Sequence, residues 1–151
     1  MSQENRIAAV RADAQALYRD GALYCSEAVV AAVRRHLAPE MPEALIAAAS
    51  GFPAGVGGAK CICGAVSGAV LCLGYFFGRT EASTKNRRCM ALARELQARF
   101  RHRHKGVLCC HVYTHGMDFM RGDHLEQCVG FVGDMAEAVA EITLREWDAH
   151  K

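Results

Sequence analysis

The sequence predicts an all-α protein: one domain over residues 1–151, a bundle of five to six helices with cysteines at helix N-termini. Three observations predict it. Apolar residues recur at helical spacing through most of the chain. Glycine or proline punctuates the ends of those runs. No stretch alternates apolar and polar residues long enough to be read as a strand, and there is no internal repeat.

The elements follow in order. Ile7, Val10, Ala14, Leu17 and Tyr18 share one helical face, and Gly21 offers a stop. Cys25 opens a second helix carried by Ala28, Val29, Ala32, Val33 and Leu37, and Pro39 ends it. Pro42 and Glu43 suit the first turn of a short third helix with Leu45, Ile46 and Ala49 as its apolar positions. Ser50-Gly51-Phe52-Pro53 breaks it, and the glycine-rich run Gly55-Val56-Gly57-Gly58 follows. The fourth helix runs from Ala65 to Phe77 with Cys72, Leu73, Phe76 and Phe77. Gly64 and Gly68, four apart on one face, let another helix or a cofactor approach the backbone closely. The fifth helix spans 82–100, with Cys89, Leu92, Ala93, Leu96 and Phe100 as its stripe; a basic run follows and Gly106 stops it. Cys109-Cys110 lies before a polar loop, His115 to Asp123. Leu125, Cys128, Val129, Val132, Met135, Ala136, Val139 and Ile142 hold one face of the last helix, long enough to suit a homodimer contact.

Composition narrows the function. A chain of 151 residues can bury a sizeable core. A formal net charge of +2 is too near neutral to argue for nucleic-acid binding. Residues 62–77 are apolar, but a membrane span needs roughly 20 residues, so this stretch reads as a buried core helix without membrane insertion. The N-terminus opens no secretory signal. Eight cysteines in a cytoplasmic, reducing setting point to metal or redox work rather than to disulfide staples.

Four cysteines share a setting at or near a helix start: Cys25, Cys63, Cys110 and Cys128. Cys63 sits at the mouth of a helix N-terminus, where the dipole is expected to lower its pKa below the free value of about 8.5. No pair has Cys-x-x-Cys spacing, so the fold would have to gather the four from separate elements. Cys61 and Cys109, each close to one of the four, are auxiliary ligands or resolving thiols if they are not small buried hydrophobes. Cys72 and Cys89 lie on apolar stripes and read as core. His111 and His115 are four apart, and His111 is a further auxiliary candidate, although Gly116 makes the segment more loop than helix. There is no c-haem motif, no P-loop and no strand before the glycine run that would suit a dinucleotide.

The chain resembles the redox-active proteins named for their C_GCAxxG_C_C pattern. Tyr24-Cys25-Ser26-Glu27-Ala28-Val29 resembles the first cysteine segment, Cys63-Gly64-Ala65-Val66-Ser67-Gly68 the core motif, Gly106-Val107-Leu108-Cys109-Cys110 the third position at Cys110, and Cys128 the fourth. The resemblance implies a redox role with an unidentified redox partner. Similar sequence in split-Soret cytochromes, where an iron–sulfur cluster accompanies the haem, points by analogy to a cluster. Cys25, Cys63, Cys110 and Cys128, with Gly64 and Gly68, are then the residues expected to face it. Two other readings stay open: a cofactor-free thiol–disulfide protein using the same four cysteines, and a zinc or copper module on Cys and His.

Overall fold

The computed structural model describes residues 1–82, 85 and 87–151. The described residues form seven α-helices: α1 (Gln3–Arg19), α2 (Cys25–Leu37), α3 (Ala44–Ala48), α4 (Gly64–Phe77), α5 (Arg87–Arg103), α6 (Cys110–Thr114) and α7 (Leu125–Ala149), with a 3-10 turn at Ala49–Gly51. The all-α expectation holds, but the helix number is seven rather than five to six. The additional helix is α6, which has five residues like α3 but lacks a start signal such as the Pro42-Glu43 pair that precedes α3. The fifth helix starts at Arg87, not 82, and runs on through the basic segment to Arg103; of the residues expected at its start, 83, 84 and 86 lie outside the described set.

The long helix α7 is the spine. It packs against α1, α2, α4 and α5, while α2 also packs against α1 and α4. The apolar stripes read from the sequence supply the core. Val10 of α1, Val29 and Val33 of α2, Leu73 of α4, Leu96 of α5 and Val132, Met135 and Ile142 of α7 are all fully buried. At one end of this core Phe100, 0 % exposed, meets Tyr113 and Phe131 edge-on at 5.7 and 5.3 Å between ring centroids. This aromatic contact fixes α5 and α6 against α7. Around the outside, Asp134 and Glu137 of α7 take Arg11 of α1 and Arg103 of α5 as ion-pair partners. Such partly exposed pairs at the edge of the core set register more than stability.

α4 carries no charged residue, and its interior Gly68 explains how it sits so close to α2. A Cβ at Gly68 would lie 2.6 Å from the carbonyl oxygen and 2.9 Å from the Cα of Ser26. Ser26 is itself fully buried and donates from Oγ to the Ala49 carbonyl at 2.8 Å, tying the start of α2 to the 3-10 turn. Among the described residues no helix is long and apolar enough to cross a membrane.

Candidate functional site

Four helices begin around one point. Cys25 is the first residue of α2, Cys63 caps α4, Cys110 is the first residue of α6, and Cys128 lies in the first turn of α7. Two local structures align these starts. The segment 60–63 runs antiparallel to 108–111: Cys63 N–H donates to Leu108 at 2.7 Å, Cys110 N–H to Cys61 at 2.6 Å and His111 N–H to Lys60 at 3.0 Å. This short ladder brings Cys63 beside Cys110. The helix contact through Gly68 brings α4 onto α2, and Gly64 completes it, since a Cβ there would collide with Cys25 Sγ. Gly64 lines the resulting cavity. Gly68 does not line it and serves the helix contact.

The cavity holds about 310 Å³, and Cys25, Cys63, Cys110 and Cys128 all line it. Its remaining wall includes Tyr18, Tyr24, Phe119, His124 and Phe131. Among the described residues, no three His, Cys, Asp or Glu side chains converge closely enough to hold a single metal ion. The four cysteines therefore share one cavity without converging on a single point. The auxiliary candidates stand elsewhere. Cys61 is exposed, Cys109 Sγ donates to the Lys60 carbonyl at 3.4 Å, and His111 is exposed on α6 with its ring against that of His115 at 5.3 Å. The segment read as loop is therefore a helical turn as far as Thr114. Cys72 is buried in the core, and Cys89 lies on the α5 stripe with its Sγ toward the Leu73 carbonyl.

The glycine-rich loop shapes one side of the site. Ala54 and Val56 hold positive φ angles of 52° and 63°, unfavourable for residues with a Cβ and strongly so for a β-branched one. Hydrogen bonds hold the loop in this form, with Lys60 N–H donating to Ala54 at 3.0 Å and Cys61 N–H to Gly55 at 2.8 Å. The conformation turns the Ala54 N–H toward Cys25, which also receives the N–H of Ser26. Cys63 receives the N–H groups of Ala65 and Val66 in the first turn of α4.

These donors do not acidify the thiols. Burial is the largest influence on Cys63 and pushes its pKa up, the neighbouring Cys25 and Cys128 push the same way, and the two N–H groups only partly oppose them. The expected low-pKa Cys63 is thus overturned: a helix N-terminus favours charge, but desolvation in an apolar cavity outweighs it. Burial also raises Cys25, and pushes Cys128 up to about 11. Cys72 is pushed up to about 12 by burial alone. The metal-free, reduced protein accordingly loses stability in alkali. Above about pH 8.5 the unfolded chain releases thiol protons that the native state retains, which favours unfolding. Stability is full below that pH and falls as the pH climbs towards 11, by at most about 1.4 kcal/mol per pH unit for each such thiol. Urea unfolding at a series of pH values checks this; a flat profile from 8 to 10.5 contradicts it.

Sequence reasoning missed Tyr18, Phe119, His124 and Phe131. Phe119 and His124 come from the end of the polar loop, where Lys60 Nζ lies 3.1 Å from the Phe119 ring centroid and the His124 ring stacks on Phe119 at 3.9 Å. His124 Nδ1 is buried without a hydrogen-bond partner among the described residues, and burial lowers its pKa. An aromatic residue in an otherwise polar loop was the available signal. Tyr18 ends the apolar stripe of α1, and a tyrosine there needs a partner for its hydroxyl.

Comparison with known proteins agrees with the cysteine pattern. A family model described as "Putative redox-active protein (C_GCAxxG_C_C)" matches residues 23–142. No curated protein and no solved structure matches the chain.

Proposed function

The chain belongs to the C_GCAxxG_C_C family, and we propose that it is an electron-transfer protein whose Cys25, Cys63, Cys110 and Cys128 hold an iron–sulfur cluster. One observation carries this reading: four cysteines from four helix starts line a single cavity of about 310 Å³. The donor chemistry fits, because thiolates are the usual cluster ligands. A cluster takes one sulfur at each iron and does not need all four thiolates at one point, as a single ion would.

The surroundings support the same reading. The N–H groups of Ala54, Ser26, Ala65 and Val66 are directed at Cys25 and Cys63. Hydrogen bonds of this kind offset the negative charge of thiolate ligands and adjust their potential. Protons held by buried thiols are released when a metal takes their place, so uptake is coupled to proton release. One-electron transfer is the chemistry such a cluster supplies when bound. Gly64 leaves room for Cys25 Sγ beside α4, and the aromatic wall limits water at the sulfurs. The donor, the acceptor and any second copy of the chain belong to the same proposal only as partners that exchange electrons with this site.

A cofactor-free thiol–disulfide reading uses the same residues. The proximity of Cys25 to Cys63 favours it, whereas the raised pKa values oppose it, since exchange needs thiolate. Single Cys→Ser variants separate the alternatives. After anaerobic reconstitution, Cys25→Ser, Cys63→Ser, Cys110→Ser and Cys128→Ser are each expected to lose most of the bound iron and sulfide, while Cys61→Ser and Cys109→Ser retain wild-type amounts. Equal retention in all six contradicts the ligand assignment.

A further inference from the structure

The loop between α6 and α7 supplies Phe119 and His124 to the cavity wall. Gly116 and Gly122 bracket its centre, both at a φ of 76°, and a Cβ at either meets nothing within 4 Å. Between them the chain ties to itself. Met120 N–H donates to Asp118 Oδ1 at 2.9 Å, Asp118 N–H to Asp123 Oδ2 at 3.1 Å, and Gly122 N–H to the Phe119 carbonyl at 3.2 Å. Among the described residues, the hydrogen bonds of 116–123 stay between Thr114 and Gln127. The loop thus keeps its own shape and bonds to no element beyond its two flanking helices.

Phe119 links it to the body. Lys60 sets its Nζ 3.1 Å from the Phe119 ring centroid, and the His124 ring stacks on the same ring at 3.9 Å. Lys60 belongs to the fixed side, since its N–H donates to Ala54 and its carbonyl accepts from His111, each at 3.0 Å. The next loop residue, Met120, is 96 % exposed, so the chain turns inward at Phe119 and away again at once. Cys63 and Cys110, in the same cavity, are buried. We propose that the 116–123 loop is a lid over the cysteine cavity, with Phe119 as its inner face and the Lys60 ammonium as its latch, so that its opening governs how fast reagents and metal reach the cysteines. A cation on a ring face is a clasp that parts without breaking a backbone hydrogen bond. Glycines with open space around them absorb the dihedral change that opening requires.

The inference uses the cavity and not the cluster, so it is tested on the metal-free, reduced chain, and its failure leaves the cluster reading standing. Peptide-resolved alkylation by iodoacetamide at neutral pH follows Cys63 and Cys110, with two internal controls. Cys61 is exposed and lies outside the cavity, while Cys72 is buried in the core and reports general loosening. Phe119→Ala is expected to speed Cys63 and Cys110 by more than about tenfold. Lys60→Met keeps the ring and an unbranched stem and is expected to speed both about threefold. Cys61 and Cys72 keep their wild-type rates in each variant. Loss of a cation disfavours thiolates nearby, so a charge effect alone slows the reaction rather than speeding it. Unchanged Cys63 and Cys110 rates in Lys60→Met overturn the inference, and if Phe119→Ala alone is faster, Phe119 is a fixed piece of wall. A rise that Cys72 shares equally is general loosening and overturns it too. If Phe119→Ala does not fold, Lys60→Met decides.

Discussion

Gly68→Val is expected to destabilise the protein by about 3 kcal/mol and to lower its capacity for iron and sulfide. The new side chain begins where a Cβ meets the Ser26 carbonyl oxygen at 2.6 Å and the Ser26 Cα at 2.9 Å. Both obstacles are backbone, so no rotamer change relieves them and α2 must move away from α4. Small-to-large changes at close-packed sites typically cost about 1–3 kcal/mol, and an obstacle of backbone puts this one at the upper end. Against a total stability of about 5–15 kcal/mol that is a large fraction. Because Ser26 follows Cys25 and Gly68 lies one turn after Gly64, the same movement separates Cys25 from Cys63. Urea unfolding measures the first effect, and iron and sulfide content after reconstitution the second. Ser26→Gly is not expected to rescue the variant, since the clash involves the Ser26 main chain. Gly74 provides the internal contrast. A Cβ there meets nothing within 4 Å, so Gly74→Ala is expected to stabilise α4 by about 0.5–1 kcal/mol. A Gly68→Val protein as stable as wild type contradicts the helix-contact account of the motif.

Phe100→Ala carries the other large effect, about 3–5 kcal/mol of lost stability. Phe100 is fully buried and meets Tyr113 of α6 and Phe131 of α7 edge-on. Truncation removes the ring and leaves a cavity between three helices that collapses only in part. Phe131 lines the cysteine cavity, and Tyr113 lies on α6, the helix that Cys110 begins. The variant is therefore expected to lose cluster capacity as well as stability, although Phe100 does not itself line the cavity. Phe100→Leu, which keeps most of the volume, is expected to cost about 1–1.5 kcal/mol. Equal losses for the two substitutions contradict the packing explanation.

The all-helical class and most of the helices could be read from the chain because each buries one long apolar stripe in a single core. The last helix is the clearest case: its periodic positions from Val129 to Ile142 include Val132, Met135 and Val139, all 0 % exposed. α6 escaped because its five residues have no start signal of the kind that Pro42 and Glu43 gave the equally short α3; tertiary contacts of Tyr113 and the ladder to 60–63 accompany it. The cysteine positions were visible as residues, but their chemistry was not. The sequence put Cys63 at a helix start, which argues for an acidic thiol, while the apolar wall that reverses this comes from residues as distant in the chain as Tyr18 and Phe131. Gly64 and Gly68 show the same limit. Their spacing announced a close approach, yet only the fold assigns Cys25 Sγ to the one and the Ser26 main chain to the other.

Iron and acid-labile sulfide analysis of the anaerobically purified chain, with its visible absorption spectrum, tests the central claim most directly. The account predicts brown protein with iron and sulfide in comparable amounts, both lost when any of Cys25, Cys63, Cys110 or Cys128 is replaced. Colourless protein that contains neither, and that takes up neither on reconstitution, contradicts it.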